Sequence, residues 1–437
     1  MVSDQKALIE LAMIKDNDKI RKKELTRILV FSELYYPEET STGYFMTKIA
    51  EGLSSDFSVM AVCAQPSYSM RGKRTLVSEF HRGVNIRRYP STTFNKDKRG
   101  LRLLNVFSIC FSSFLLAICS IHSSDLILVV TNPPLLPFFI WLACKLRGAK
   151  FVLRIDDVYP DILNVAGMLK KSSFIYRILE KLNSYLYKGA DHIVVLGRDM
   201  CSLVLSKIGK QHDNRVHIVP NWGESDQIYQ CLRANNPLLK ELHLENKFVV
   251  QYAGNMGYPH DIESLVNAVK VLFKNPKIHF LFIGSGVKKG WLEEQIKINS
   301  LSNITLLDPR PRADQNNFLN ACDIGVSALI KGMSGISVPS RMYNIMAAGK
   351  PVVAIGDEDS ELGFIIREEK VGWIVPPGEV NSFVNAVLEA ESNSDRLAAM
   401  GRRARQLVEK EYSREYVVGL YKELFDGMRK GEKGVTG

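Results

Sequence analysis

Short β-branched apolar runs alternate with amphipathic stretches along nearly the whole chain. RILVFS (27–32), SVMAVCA (58–64), LILVV (126–130), KFVLRI (150–155), HIVVLG (192–197) and VHIVP (216–220) predict strands. Between them TGYFMTKIAEGL (42–53) and SFIYRILEKLNSYLYKGA (173–190) carry helical periodicity. The pattern restarts at KFVVQYAG (247–254) and continues through IHFLFIGSG (278–286), ITLLD (304–308), IGVSAL (324–329), PVVAIG (351–356) and GWIV (372–375). Strands separated by helices call for a mainly parallel sheet covered on both faces, and the restart predicts two such doubly wound α/β units. The expected division is a charged extension over 1–26, a first domain over 27–222, a second over 223–412, and a C-terminal helix with a tail over 413–437. SREYVVGLYKELFDGMRK (413–430) is amphipathic with nothing after it to pack on, so it is expected to cross back to the first domain. Polar sequence at 221–235 reads as the linker. In open α/β sheets ligands bind outside the carboxyl ends of the strands, so two such domains are expected to face a central cleft and to carry their chemistry on the loops leaving those strands.

The length, 437 residues, suits two or three domains. Seven scattered cysteines, with no C-x-x-C pair, read as reduced cytosolic thiols and not as a disulfide or metal framework. The N-terminus has a short apolar run broken by Glu10 and no cleavage-site pattern, so it reads as an extension and not a secretory signal. Charge sharpens the picture more than composition does. Residues 71–102 hold ten basic side chains (Arg71, Lys73, Arg74, Arg82, Arg87, Arg88, Lys96, Lys98, Arg99, Arg102) against Glu79 and Asp97, and so carry +8 of the net +10. The uncharged LLNVFSICFSSFLLAICSI (103–121) follows directly. It can be a half-buried helix of the domain, an amphipathic helix in a membrane interface, or a span, and Asn105 with its serines argues against the span. Basic clusters beside an apolar helix suit anionic headgroups, although a charge run can equally be a solvated face.

Three loops offer candidate chemistry. Gly43 opens the first helix, where glycine lets a ligand approach the backbone and the helix N-terminus. Gly254, Asn255 and Gly257 repeat that design before a later helix, whereas IGSG (283–286) reads as packing. In VPSRMYNIMAAGKPVVAIG (338–356), Ser340 is placed to cap a helix and Arg341 falls in its first turn. A cation there opposes the helix dipole. Either it pairs with a neighbouring acid, or a diphosphate shares the site and is held bidentately.

These residues carry a resemblance. YYPEETSTG, QPSY (65–68), TNPPLLP (131–137), RIDDVYPDIL (154–163), GADHIVVLG (189–197), VPNW (219–222), YAGNMG (252–257), ACDIGVSAL (321–329), VPSRMYNIMAAGKPVVA and GWIVPPGE (372–379) stand in one order across about 27–425. The sequence resembles the family-four retaining glycosyltransferases, and more narrowly the WbuB-like group of bacterial surface-polysaccharide biosynthesis. The resemblance implies the GT-B architecture and glycosyl transfer with retention, without a protein nucleophile. It implies a nucleotide-sugar donor, UDP-sugar favoured, with no cofactor and no metal. Donor contacts implied are Gly43, Gly254, Asn255, Gly257, Arg310, Arg312, Pro339, Ser340, Arg341 and Asn344, and acceptor contacts Glu33, Tyr68, Asp157 and Asp161. A lipid-linked saccharide acceptor, an anionic membrane surface, a peripheral place on the cytoplasmic face of the plasma membrane and no nucleic-acid partner complete the expectation. This chain departs from the family at Ile336 and Asn344, which stand where most members have two glutamates eight positions apart, and at GNMGYPHD, which replaces the usual arginine and lysine. A GT-B nucleotide-sugar 2-epimerase and a degenerate scaffold in an assembly complex are the alternatives.

Overall fold

The structure, a computed structural model, describes residues 25–66, 75–92, 94 and 99–431, with the side chains of 99, 102 and 103 excluded. Residues 1–24, Tyr68, Arg71, Lys73, Arg74, Lys96, Asp97 and Lys98, all used in the expectations above, lie outside the described residues.

The first sheet holds β1 (Arg27–Ser32), β2 (Ser58–Cys63), β3 (Ser78–His81), β4 (Val84–Arg88), β5 (Leu126–Val130), β6 (Lys150–Arg154), β7 (His192–Val195) and β8 (Val216–Ile218) in the order β3-β4-β2-β1-β5-β6-β7-β8. The second holds β9 (Phe248–Ala253), β10 (Ile278–Ile283), β11 (Ile304–Leu307), β12 (Ile324–Ala328), β13 (Val352–Ile355) and β14 (Gly372–Val375) in the order β11-β10-β9-β12-β13-β14. The strand pairings of the second sheet are parallel, and β5, β10, β12 and β13 are buried along their whole length. Helices cover both faces of such a sheet, which is why these strands read as unbroken β-branched runs and not as alternation.

One pairing departs from the expected parallel pattern. β3 and β4 form an antiparallel hairpin, turning through Arg82 and Gly83 at positive φ. Their alternating sequence lies inside the basic stretch 71–102, where it was read only as charge. The hairpin also corrects that charge reading. The Arg88 side chain is fully buried, donating to the carbonyls of Leu76 and Tyr36 and to Glu79 at 2.6 Å, so it is no part of a solvated basic patch.

The chain's contacts divide it into two compact units. One comprises Met1–Arg154, Leu186–Ile193 and Tyr421–Gly437, and the other Ile155–Tyr185 and Val194–Leu420. In the first unit the end of the helix Arg414–Lys430 is held by several contacts. The buried Arg154 donates to the Tyr421 hydroxyl at 2.5 Å, Lys422 pairs with Asp56 at 2.7 Å, and the Phe425 ring meets Phe57 edge-on at 6.2 Å. Each buried aromatic ring there contributes about 2–3 kcal/mol of transfer free energy.

The uncharged segment becomes the helix Arg99–Ser120. Asn105, Ile109, Cys110, Ser113 and Ala117 face inward, and Leu104, Phe107, Phe111 and Leu115 are exposed at helical spacing. The Asn105 amide is satisfied by Thr92 and the backbone of Phe94. No helix among the described residues is long and apolar enough to cross a membrane.

Candidate functional site

β9 runs straight into Gly254, whose φ of +140° only glycine adopts freely. The guanidinium of Arg341 also lies close against it. A Cβ at residue 254 would sit 3.3 Å from Arg341 Cζ. The same guanidinium lies 4.2 Å from the centroid of the Tyr252 ring, a cation–π contact, and its Nη2 donates to the Asn255 carbonyl at 3.1 Å. Its Nη1 is buried and has no hydrogen-bond partner. A guanidinium N–H group left dry and unpaired costs about 1–3 kcal/mol.

His260 makes the case stronger. The Gly257 N–H donates to His260 Nδ1 at 3.0 Å. Its Nε2 faces Arg341 Nη2 at 3.1 Å. Burial first, then Arg341, then Lys288 hold the imidazole pKa well below its ordinary value, so the ring is neutral. Both ring nitrogens thus face N–H donors, and a neutral ring accepts from only one of them. Lys288 closes one side, donating to the His260 carbonyl at 2.7 Å and to Glu263 at 2.8 Å. Arg341, Gly254, Asn255 and Gly257, expected on sequence grounds to act together, thus converge. Sequence reading missed His260 and Tyr252, because nothing local distinguishes a histidine wedged between two donors.

The model of the family "Glycosyl transferases group 1" matches residues 247–393, which include this site. A relative from Pseudomonas aeruginosa, "Probable glycosyltransferase WbjE", is 31% identical over 405 residues, covering 90% of this chain and 96% of that protein. The chain belongs to the group 1 glycosyltransferases. A second relative, "Putative colanic acid biosynthesis glycosyl transferase WcaI" of Escherichia coli K12, is 25% identical over 378 residues, 83% of this chain and 92% of that one. Among solved structures, sucrose-phosphate synthase of Thermosynechococcus elongatus superposes with a TM-score of 0.75 at 14% identity, covering 93% of this chain and all of that one. HepE of Anabaena, in complex with UDP and glucose, gives 0.71 at 13%, covering 92% and 100%. WaaG, a glycosyltransferase involved in lipopolysaccharide biosynthesis, gives 0.64 at 12%, with the same coverage. The fold is the GT-B fold of two Rossmann-like domains.

The remaining candidates of this glycosyltransferase fall elsewhere. The Asn344 side-chain Oδ1 accepts from the Glu224 N–H at 3.1 Å, so it is engaged by the backbone of the segment after β8. Ile336 is buried. Ser340 occupies the N-cap position of the helix Arg341–Ala347 but its hydroxyl does not cap it, which corrects the sequence reading, because its own backbone is already helical. Pro339 precedes it, half-buried. Arg310 is engaged with Asp314 at 2.9 Å and Glu241 at 3.4 Å, and Arg312 opens the short helical turn Arg312–Asp314. Gly43 lies in the first turn of the helix Ser41–Leu53, 3.1 Å from the Glu38 carbonyl by its virtual Cβ.

Of the acceptor candidates, Glu33 is buried at the end of β1, and its backbone bridges Asn132 and Ala64. Asp161 is tied into a local network, paired with Lys207 at 2.9 Å and accepting from the Tyr176 hydroxyl at 3.1 Å. Asp157 forms an isolated antiparallel bridge with Ser337. Burial pushes its carboxyl from the ordinary 3.8 up to about 6, against the opposing hydrogen bond from Ser337 and with a further push from Asp156. A carboxyl raised on folding binds more protons in the native state between those values. Its contribution to stability is therefore full below pH 3.8 and lost as pH rises through about 6. Urea denaturation from pH 4 to 7 should show the wild type losing stability relative to Asp157→Asn across that window. Parallel curves would exclude the buried carboxyl.

Proposed function

We propose that this glycosyltransferase takes its sugar from a nucleoside-diphosphate donor, UDP-sugar favoured. It transfers that sugar with retention of configuration to a lipid-linked saccharide, in the manner of the WbuB-like group of surface-polysaccharide enzymes that make O-antigen or capsule. The observation that carries the donor half is the buried Nη1 of Arg341, which has no hydrogen-bond partner, on a guanidinium whose Nη2 lies 3.1 Å from His260 Nε2. An anionic phosphate oxygen there accepts from Nη1 and relieves the unmet donor. As the bond to the sugar breaks, negative charge grows on the leaving diphosphate. Preorganised donors stabilise that charge without moving, the electrostatic device that contributes most to such chemistry. The names of WbjE and WcaI support the polysaccharide setting. UDP in the HepE structure supports the choice of base. The outward apolar stripe of the helix Arg99–Ser120 supports a place on the inner membrane face, near a lipid-linked acceptor.

The test is titration calorimetry with UDP, followed by product detection with radiolabelled UDP-sugars and a membrane fraction. His260→Ala is expected to weaken UDP binding by at least about tenfold, the worth of one hydrogen bond to a charged group. His260→Asn, which keeps a short donor, is expected to recover part of it. Unchanged affinity in both variants would leave the ring outside the site.

A further inference from the structure

We propose that the outward face of the helix Phe174–Gly189 is a docking surface for an anionic lipid bilayer. This deepens the membrane-side reading above and rests on it, but it places the contact on an element other than the basic stretch and the helix that follows it. Phe174 is 76% exposed, Ile175 60%, Ile178 41% and Leu182 45%. Their spacing puts them on one side of the helix, while Tyr176, Asn183, Leu186 and Tyr187 form the buried side. Arg177 and Lys181 are exposed among the apolar residues, and Met168, Lys170 and Lys171 are exposed just before the helix. None of these four basic side chains enters an ion pair among the described residues.

The only acidic residue in 166–185 is Glu180. It is half-buried and paired with Lys207 at 2.7 Å, so it does not offset the outer face. A contiguous row of large apolar side chains is costly to leave in water, and the cations among it call for an anionic partner. A second copy of this chain docking by the same face would oppose cation to cation. An anionic bilayer satisfies both features, taking the apolar side chains at the acyl boundary and the cations at the headgroups.

The experiment is co-sedimentation of the full chain with vesicles of phosphatidylcholine alone and of phosphatidylcholine mixed equally with phosphatidylglycerol. The wild type is expected to bind the mixed vesicles, with salt weakening the attachment. Phe174→Ser, Ile178→Ser and Leu182→Ser combined should lower partitioning at least about tenfold, and so should Lys170→Glu, Lys171→Glu, Arg177→Glu and Lys181→Glu combined. Both variants should keep the wild-type melting temperature, because every altered side chain is on the surface. Wild-type partitioning in both variants overturns the proposal. If instead Phe107→Ser with Phe111→Ser alone abolishes binding, the protein is peripheral but docks by the other helix, and the proposal falls while the membrane-side reading stands. If the wild type binds no vesicle, both fall. A concentration-dependent wild-type dimer that the Phe174 variant loses would assign the face to a second copy and overturn the proposal.

Discussion

Arg341→Ala is expected to lower affinity for UDP at least about tenfold and to abolish transfer, with folding intact. A hydrogen bond to a charged group contributes roughly 1.5–3 kcal/mol, and Arg341 offers a phosphate two N–H groups. Folding should survive because the side chain carries an uncompensated desolvation cost at its unpartnered Nη1, so its removal deletes an unmet donor along with the Asn255 contact. Alanine at the first position of the helix also suits the dipole better than a cation does. Arg341→Lys is the sharper companion. It keeps the charge but not the flat fork that lies on Tyr252 and against Gly254, and should fall between wild type and alanine. Calorimetry with UDP reads both. Wild-type affinity in Arg341→Ala would remove the residue from the donor site.

Gly284→Ala is expected to destabilise the protein by roughly 2–4 kcal/mol, from a steric overlap and a strained backbone together. Residue 284 follows β10 at φ +151°, and a Cβ there would overlap the carbonyl oxygen of Gly254. That oxygen belongs to backbone and cannot swing aside as a flexible side chain would. The two loops are also stitched together, Gly254 N–H donating to the Ile283 carbonyl at 2.8 Å and Met256 N–H to the Ser285 carbonyl at 2.7 Å. Displacing one loop therefore displaces the other, and UDP affinity should fall with stability. Urea denaturation with an unchanged slope and a lower midpoint is the expected record. A loss under about 0.5 kcal/mol would contradict the close approach.

Much of the fold was legible without coordinates. The apolar runs located twelve of the strands to within a few residues, because a buried parallel strand must be apolar on both faces and its crossover helix must follow. The hairpin β3–β4 was not legible. Its residues alternate Val84, Asn85, Ile86, Arg87, Arg88 beside a basic run, and its turn lacks the asparagine–glycine or aspartate–glycine pair that marks most tight hairpins. Half of the candidate site was equally visible. Gly254 and Arg341 announce themselves, one as a glycine ending a strand and the other as a cation placed against a helix dipole. Sequence thus determined which chemistry the loops carry and where along the chain they fall, since those are properties of local pattern. Only the tertiary structure decided who meets whom. Asn344 and Arg310 look as suitable for a ligand as Arg341 does, yet one caps the Glu224 N–H and the other is neutralised by Asp314 and Glu241. His260 looks unremarkable until its two nitrogens are found between the Gly257 and Arg341 donors. The partners that decide a polar group's availability include ones 81 and 120 positions away, and no local pattern records those.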